Sequence, residues 1–554
     1  MKAFGQLYAA LDGTTSTRRK VAAMVDFFRS APADDAAWAV YFLAGGRPRR
    51  IVNTRELRAA SQRATGLPEW LFDASYQAVG DLAETMALLL PAPSGDDSPV
   101  TDKQGLAGWM TDRILPLRDQ PAEQRQQAVI DWWAELATAE RFLLNKLLTG
   151  GFRVGVSRQL VSRAIAQAFD LPVTLVQQRL VGYADKSRQP LAADFTNLAA
   201  PPGSDSDASL ANRPYPFMLA HSIGDDPAAL GDVGRWRAEW KWDGIRVQLV
   251  HRAGQASVWS RGEDLLSESM PELCEVGRGL PEGTVLDGEL LCWRAGDELP
   301  LPFAAVQTRL GTRRPGAKRL REAPVVMVAY DLLQADGVDL RSQPLSERQA
   351  RLTTLVKERN DPRLRVSAAL PAADWSALVG HRDRAREQGA EGLMIKRLDA
   401  AYGVGRVREP EGGPWLKWKL DPLSIDAVLV YAQRGHGRRA GLYSDYTFAV
   451  WRSGAEAGER ELVTFAKAYS GLTDVEMREV DRVIRQTTIE SFGPVRSVRP
   501  TMVFELGFEG LQRSSRHKSG IAVRFPRMLR RREYKTIEQA DTLANLFALL
   551  PPGA

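Results

Sequence analysis

Lys241 lies between two tryptophans in EWKWDGIRVQLVHR, residues 239–252, at the head of what reads as a strand. A free lysine amine is protonated near neutral pH and is a poor nucleophile, but desolvation or neighbouring cations lower its pKa and activate it. Gly244 would let backbone approach a bound nucleotide closely, and Arg246, two positions on, is suited to clamping a phosphate or ribose. Four residues are thin support, because K-x-D-G arises by chance and a surface lysine beside an acid is the bland alternative. Further groups follow downstream. SRGED at 260–264 supplies Arg261 in a polar turn, and LDGEL at 286–290 puts Asp287 and Glu289 on one face of a strand, since side chains alternate with period two. EGLMIK at 391–396 offers Glu391 and Lys396. WLKWKLD at 415–421 puts Lys417 and Lys419 on one face, with Leu416, Trp418 and Leu420 on the other. That lysine pair suits a triphosphate; taken alone it equally fits an edge strand guarded by lysines.

The elements that must carry these groups change character along the chain. Residues 1 to about 90 read helical; DDAAWAVYFLAG and RELRAASQRATG have helical spacing and end in glycine. PAPSGDDSPVTDKQG at 91–105 reads as a loop, and helical pattern resumes over 131–169. TNLAAPPGSDSDASLANRPYP at 196–216 reads as a linker and a domain boundary. After it come short, β-prone runs: RVQLVHR, ASVWSR, TVLDGELLCW, PVVMVAYDLL, EGLMIKR and WLKWKL. A second change falls near Asp421, where IDAVLVYAQ, YTFAVWR, ELVTFAKAY and MVFELGFEGL resemble strands of a small barrel.

Length and composition bound the answer. With 554 residues the chain is expected to form three or four domains. Cys274 and Cys292 are its two cysteines, too few for a disulfide framework or a four-cysteine zinc site, which fits a reducing cytoplasm. No apolar run is long enough to span a bilayer, so no membrane association is expected. The formal net charge of +6 favours a polyanionic partner. Basic clusters at 47–50, 313–321, 434–439 and 530–532 suit one long polyanion, although each alone reads as a solvated face.

KWDG, SRGED, LDGEL, VAYDLL, EGLMIK and WLKWK occur in the order of the nucleotidyltransferase motifs of ATP-dependent DNA ligases, and RFPRMLRRREYK at 524–535 resembles the last motif of that family. TTSTRRKVAAMVDFF and LLTGGFRVGVSRQLV are similar to the helical DNA-binding domain of its three-domain members. The resemblance implies a multidomain architecture: an all-α DNA-binding domain at 1–200, an α+β nucleotidyltransferase (adenylation) domain at 201–420 and a C-terminal β-barrel OB-fold at 421–554. It implies that Lys241 attacks the α-phosphate of ATP, that the AMP passes to the 5′-phosphate of a nick, and that the 3′-hydroxyl then expels it. Glu239 would contact the adenine, Arg246 and Arg261 hold ribose and phosphate, and Tyr330 stack on the base. Glu289 would meet the ribose or the metal, Glu391 would be the metal carboxylate, and Lys417 and Lys419 would grip the α-phosphate. The cofactors implied are ATP and Mg2+ (or Mn2+), which carboxylates and phosphate oxygens bind. Arg524, with Arg527 and Lys535, looks suited to steering pyrophosphate. The last motif departs from the family's R-x-D-K: Tyr534 stands where the aspartate is common.

In the helical region Arg18 and Lys20, with Arg153 and Arg158 in GGFRVGVSR, are the candidates for DNA phosphates, against the alternative of an ordinary helix junction. The expected partner is nicked double-stranded DNA, bound by a cytoplasmic, nucleoid-associated monomer that works beside a DNA-repair helicase or nuclease. The rivals are an RNA ligase, a capping-type nucleotidyltransferase, an NAD-dependent ligase and a non-catalytic DNA-binding scaffold. The helical region speaks against the first two and the last motif against the second, the cysteine count against the third, and the full motif set against the fourth.

Overall fold

The helix Ala33–Leu43 shows how the sequence builds the first layer. Every residue from Ala36 to Leu43 is buried, and a helix apolar all round must sit inside. It packs with Arg158–Phe169 and Ala192–Ala199, and Arg158–Phe169 packs in turn on Thr17–Ser30, whose N-cap is Ser16. Residues between them in sequence form a separate set of helices, in which Thr54–Thr65 packs on Ala122–Glu135 and Leu82–Leu89 on Thr138–Thr149. This computed structural model describes residues 1–554 apart from 49–50, 92–103, 151, 153, 185–187, 205–211, 225, 408, 410–412, 436–440, 454–458, 470, 494 and 551–554. Most of the expected 91–105 loop, part of the 196–216 linker, and parts of the basic clusters at 47–50 and 434–439 therefore lie outside the described residues.

By contacts the chain divides into two units: Met1–Gly5 with Arg50–Gly151 and Asp421–Ala554, and Gln6–Arg49 with Phe152–Leu420. The helical region is thus shared between them. The expected linker also begins too early. Thr196–Ala199 is the last part of a helix, and Phe195 and Leu198 are buried there.

In the second unit, two sheets carry the motifs. One has six strands, ordered Gln255–Ser260, Ile245–Arg252, Thr284–Cys292, Val325–Ala335 and Val338–Asp339, with Leu364–Val366 parallel to the fourth. Its far face packs on the helices Pro271–Arg278, Phe303–Leu310 and Leu345–Arg359 through Val247, Leu249, Leu286, Leu290 and Met327. The other sheet is ordered His221–Ser222, Trp415–Lys419, Ala390–Arg397 and Trp236–Trp242. Its far face buries Trp236, Ala238, Leu393, Ile395, Leu416 and Trp418 in one cluster. Period two then leaves the alternate residues on the near face.

The C-terminal region is β-rich, as expected. Leu423–Arg434 pairs with Tyr443–Ser453 along one edge, and with both Val503–Phe508 and Val495–Val498 along the other. Register shifts at Leu429/Tyr431 let that strand bend between partners, which is how a sheet curls around a core. The core holds Phe448, Phe465, Phe504 and Phe508, closed by Val480 and Ile484 of the helix Asp474–Thr487.

Candidate active site

Lys241 is the last residue but one of the strand Trp236–Trp242, and Asp243 and Gly244 turn the chain into Ile245–Arg252. The glycine is required for a different reason than expected. A Cβ at Gly244 would lie 2.5 Å from the Leu290 carbonyl oxygen and 2.8 Å from Glu289 Cγ. It makes room for the neighbouring strand and its carboxylate.

The near face of the four-stranded sheet is built by register. Glu239 and Lys417 both oppose Met394, and Arg237 and Trp415 both oppose Lys396. Glu391 would face the other way by simple alternation from Met394 and Lys396. A register shift between Ala390 and Leu393 and a φ of +140° at Gly392 re-aim it. Its Oε2 accepts from Lys241 Nζ and lies 3.3 Å from Lys419 Nζ. The nucleophile candidate, the metal-carboxylate candidate and one of the phosphate lysines therefore meet, with Lys417 on the same face.

The six-stranded sheet supplies the opposite wall. Arg246 opposes Glu289, and Gln248 opposes Asp287. The Arg246 guanidinium makes a bidentate pair with Asp287 at 3.1 and 2.7 Å, donates to the Met218 carbonyl oxygen at 2.6 Å and reaches the Tyr402 hydroxyl at 3.2 Å. Tyr402 donates to Asp287 Oδ2 at 2.6 Å. Tyr330 stands partly exposed, edge-on to Trp415 at 6.1 Å between ring centres.

Charge at the site is set by burial and these neighbours. Burial pushes the Glu289 carboxyl up to about 8; Lys241 and Arg246 pull it down, while Asp287 and Glu391 push it further up. Burial raises Glu391 as well, but Lys241 and Lys419 outweigh it and hold this carboxylate below its ordinary range. The site thus pairs a satisfied carboxylate with one short of positive charge.

Other candidates are placed differently. Glu239 was expected to meet adenine, yet its side chain is 1 % exposed; Oε1 accepts from Arg237 at 2.5 Å and Oε2 from Lys396 at 2.8 Å. It braces the sheet from within. Arg261 is exposed in its turn, and its backbone N–H donates to the Arg246 carbonyl oxygen at 2.9 Å. Arg18 is exposed in the first turn of Thr17–Ser30. Lys20, expected on DNA, is buried and donates to the carbonyl oxygens of Val154 and Gly155, so it supports the loop that was expected to bind phosphate. Arg153 lies outside the described residues. Arg158 pairs with Glu263 of SRGED, which holds a φ of +65°. Arg524 lies in the C-terminal region on Ile521–Arg524, its guanidinium 5.3 Å from the Phe525 ring centre. In the last motif Lys535 and Arg532 both pair with Asp426, Arg527 lies 3.7 Å from Glu509, and Tyr534 is 98 % exposed.

Residues 217–419 match the family model of the ATP-dependent DNA ligase domain, and residues 1–166 that of the DNA ligase N terminus. A probable DNA ligase of Koribacter versatilis is 32 % identical over 98 % of this chain and 95 % of its own length. The chain belongs to the ATP-dependent DNA ligase family. A DNA ligase of Thermococcus fumicolans is 29 % identical over 98 % of this chain and 97 % of its own. The solved structure Pmar-Lig_PreS3 shares the fold at a TM-score of 0.59 and 15 % identity, covering 96 % of this chain and 99 % of that one. Three residues of this ligase's cleft were not assigned roles from sequence: Trp415, Tyr402 and Lys396. Period two already put Trp415 on the face of Lys417 and Lys419. Tyr402 carried no local signal, because it reaches Asp287 across 115 positions.

Proposed function

We propose that this ligase joins nicked duplex DNA through an AMP carried on Lys241. The observation that supports it is the meeting of Lys241, Glu391 and Lys419 on one sheet face, opposite Glu289 and Arg246. The Lys241 amine gives up a proton, with Glu391 Oε2 as its nearest acceptor, and forms a P–N bond to the α-phosphorus of ATP as pyrophosphate leaves. Lys417 and Lys419 neutralise the phosphate oxygens, and Tyr330 stacks on the base. The AMP next passes to the 5′-phosphate at the nick, breaking the P–N bond. The 3′-hydroxyl then attacks that phosphate and AMP departs. Each step is limited by positioning and charge neutralisation, for which fixed lysines on a rigid sheet are suited.

The donor set fits Mg2+ or Mn2+. Glu289, held up at about 8 by burial, is a carboxylate in want of a cation, and Glu391 faces the same cleft. Among the described residues no three His, Cys, Asp or Glu groups converge as a metal cage, so phosphate oxygens would complete the shell. The ion would supply further charge neutralisation at the phosphates. Arg18 is read as a phosphate contact to DNA, and Arg524 as a contact for the departing pyrophosphate. A cytoplasmic, nucleoid-associated monomer acting in repair or replication remains the expected setting; among the described residues no helix is long and apolar enough to cross a membrane.

Incubation with α-labelled ATP and Mg2+ tests the reading. The wild type is expected to carry covalent AMP on the peptide containing Lys241, and Lys241→Ala none. Labelling from GTP or NAD in place of ATP would reassign the reaction.

A further inference from the structure

Asp426 and Glu505 make an awkward pair in the C-terminal region. Asp426 lies between Ile425 and Ala427, and Glu505 between Phe504 and Leu506, all four in the barrel core, so period two turns both acids outward. Register then sets them directly opposite each other on Leu423–Arg434 and Val503–Phe508. Like charges so placed are destabilising. Stability alone does not ask for them: the next outward pair on the same strands is Val428 opposite Val503, packed with Ile537 and Ala540. Three cations of the last motif offset the repulsion. Arg532 bridges the acids, its Nη1 3.3 Å from Glu505 Oε2 and its Nε 3.5 Å from Asp426 Oδ1. Lys535 donates to Asp426 Oδ2, and Arg530 to Glu505 Oε2 at 2.6 Å. Asp426 is buried and its backbone is tied down: its N–H donates to Asp541 Oδ2 at 2.7 Å, and its carbonyl oxygen accepts from the Asp541 N–H at 2.9 Å. The cations of the last motif are thus held in a row by acids rooted in the sheet.

We propose that Asp426 and Glu505 are positioning residues that hold Arg532 and Lys535 in line and weaken their grip on pyrophosphate, so that this product of the first step leaves. This rests on the reading of the last motif as the pyrophosphate contact. Pyrophosphate carries several negative charges, and unopposed cations would retain it. Retention favours reversal: a pyrophosphate oxygen attacks the phosphorus of lysyl-AMP, the P–N electron pair returns to the Lys241 nitrogen, which takes back a proton, and ATP re-forms. Two carboxylates beside the cations cancel part of their field at such a ligand. The guanidinium and ammonium groups keep their places while the attraction they exert is reduced.

Reversal is read by loading the full chain with labelled AMP and measuring the pyrophosphate concentration that half-maximally releases it as ATP. The proteins compared are the wild type, Asp426→Asn, Glu505→Gln, Asp426→Glu and Lys535→Met, with binding to nicked duplex measured alongside. Asp426→Asn and Glu505→Gln are each expected to lower that concentration about three- to tenfold, the effect of removing one partly screened charge. Asp426→Glu, which restores the charge, is expected to return it to within about twofold of wild type, and nicked duplex is expected to bind Asp426→Asn within about twofold of wild type. A gain of this kind cannot come from a loosened barrel, which would only weaken binding. An unchanged or raised concentration in both acid variants, an Asp426→Glu protein that behaves as Asp426→Asn, or an equal gain for nicked duplex would each overturn the proposal. Should Asp426→Asn not fold, Glu505→Gln decides by the same outcomes. If Lys535→Met needs no more pyrophosphate than the wild type, the reading of the last motif fails; if it needs more and the acid variants match the wild type, that reading stands and this one falls.

Discussion

At the scale of single residues, the site depends on which carboxylate is satisfied. Glu391 has two lysines, whereas Glu289 keeps its proton to about 8 against an ordinary 4.5. Between those values the folded chain holds a proton that the unfolded chain has released. Stability therefore falls as pH rises through that window, and the loss is complete above it. Glu289→Gln removes the dependence. With a chelator present and no nucleotide, its unfolding midpoint relative to wild type is expected to rise from about pH 5.5 to about pH 9. A pH-independent difference in thermal melts would place that proton elsewhere. The motifs named Lys241, Glu289, Glu391 and the lysine pair because each is a short run of residues. What they did not convey is that Glu239 is spoken for on both oxygens and that Lys20 is buried: both facts depend on partners far away in sequence.

At the scale of elements, the strands were legible and their irregularities were not. Each β-prone run between 245 and 419 became a strand, since alternation and branched side chains report a half-buried pleat directly. MVFELGFEGL instead divides into Val503–Phe508 and Gly510–Arg513, which pair with different partners. The shift at Glu391–Gly392 was also hidden, because a bulge is defined by the opposing strand. Likewise Gly244 read as room for a nucleotide, and the strand that crowds it was out of view. A methyl there must push aside the Leu290 carbonyl or the Glu289 side chain. Gly244→Ala is expected to cost about 1–3 kcal/mol in denaturant melts. It should also slow self-labelling at saturating ATP, because Glu289 is displaced. Unchanged labelling would mean that the position of Glu289 is not critical to the first step.

For the whole molecule, charge and fold separate cleanly. The net charge of +6 said little about architecture but bears on DNA. If the grip is through phosphates, affinity for nicked duplex is expected to fall about 10³-fold between about 50 and 200 mM salt and to be indifferent to sequence. Titrations of labelled nicked DNA check this, and a flat salt response would remove the exposed arginines from the interface. The ion pair between Arg158 and Glu263 joins a helix of the N-terminal region to the SRGED turn of the same unit. The boundary drawn near residue 200 is therefore crossed by a charge pair that composition could not reveal. Only the linker's small polar residues were visible.

The helix Ala33–Leu43 carries a consequence for biosynthesis. Its principal neighbours, Arg158–Phe169 and Ala192–Ala199, are translated more than a hundred codons later, after a whole intervening set of helices. Until then AWAVYFL has nothing durable to dock against. The emerging polypeptide must shelter this segment, either in the folding intermediate itself or in the hands of a holdase, or risk sticking to its neighbours on the polysome.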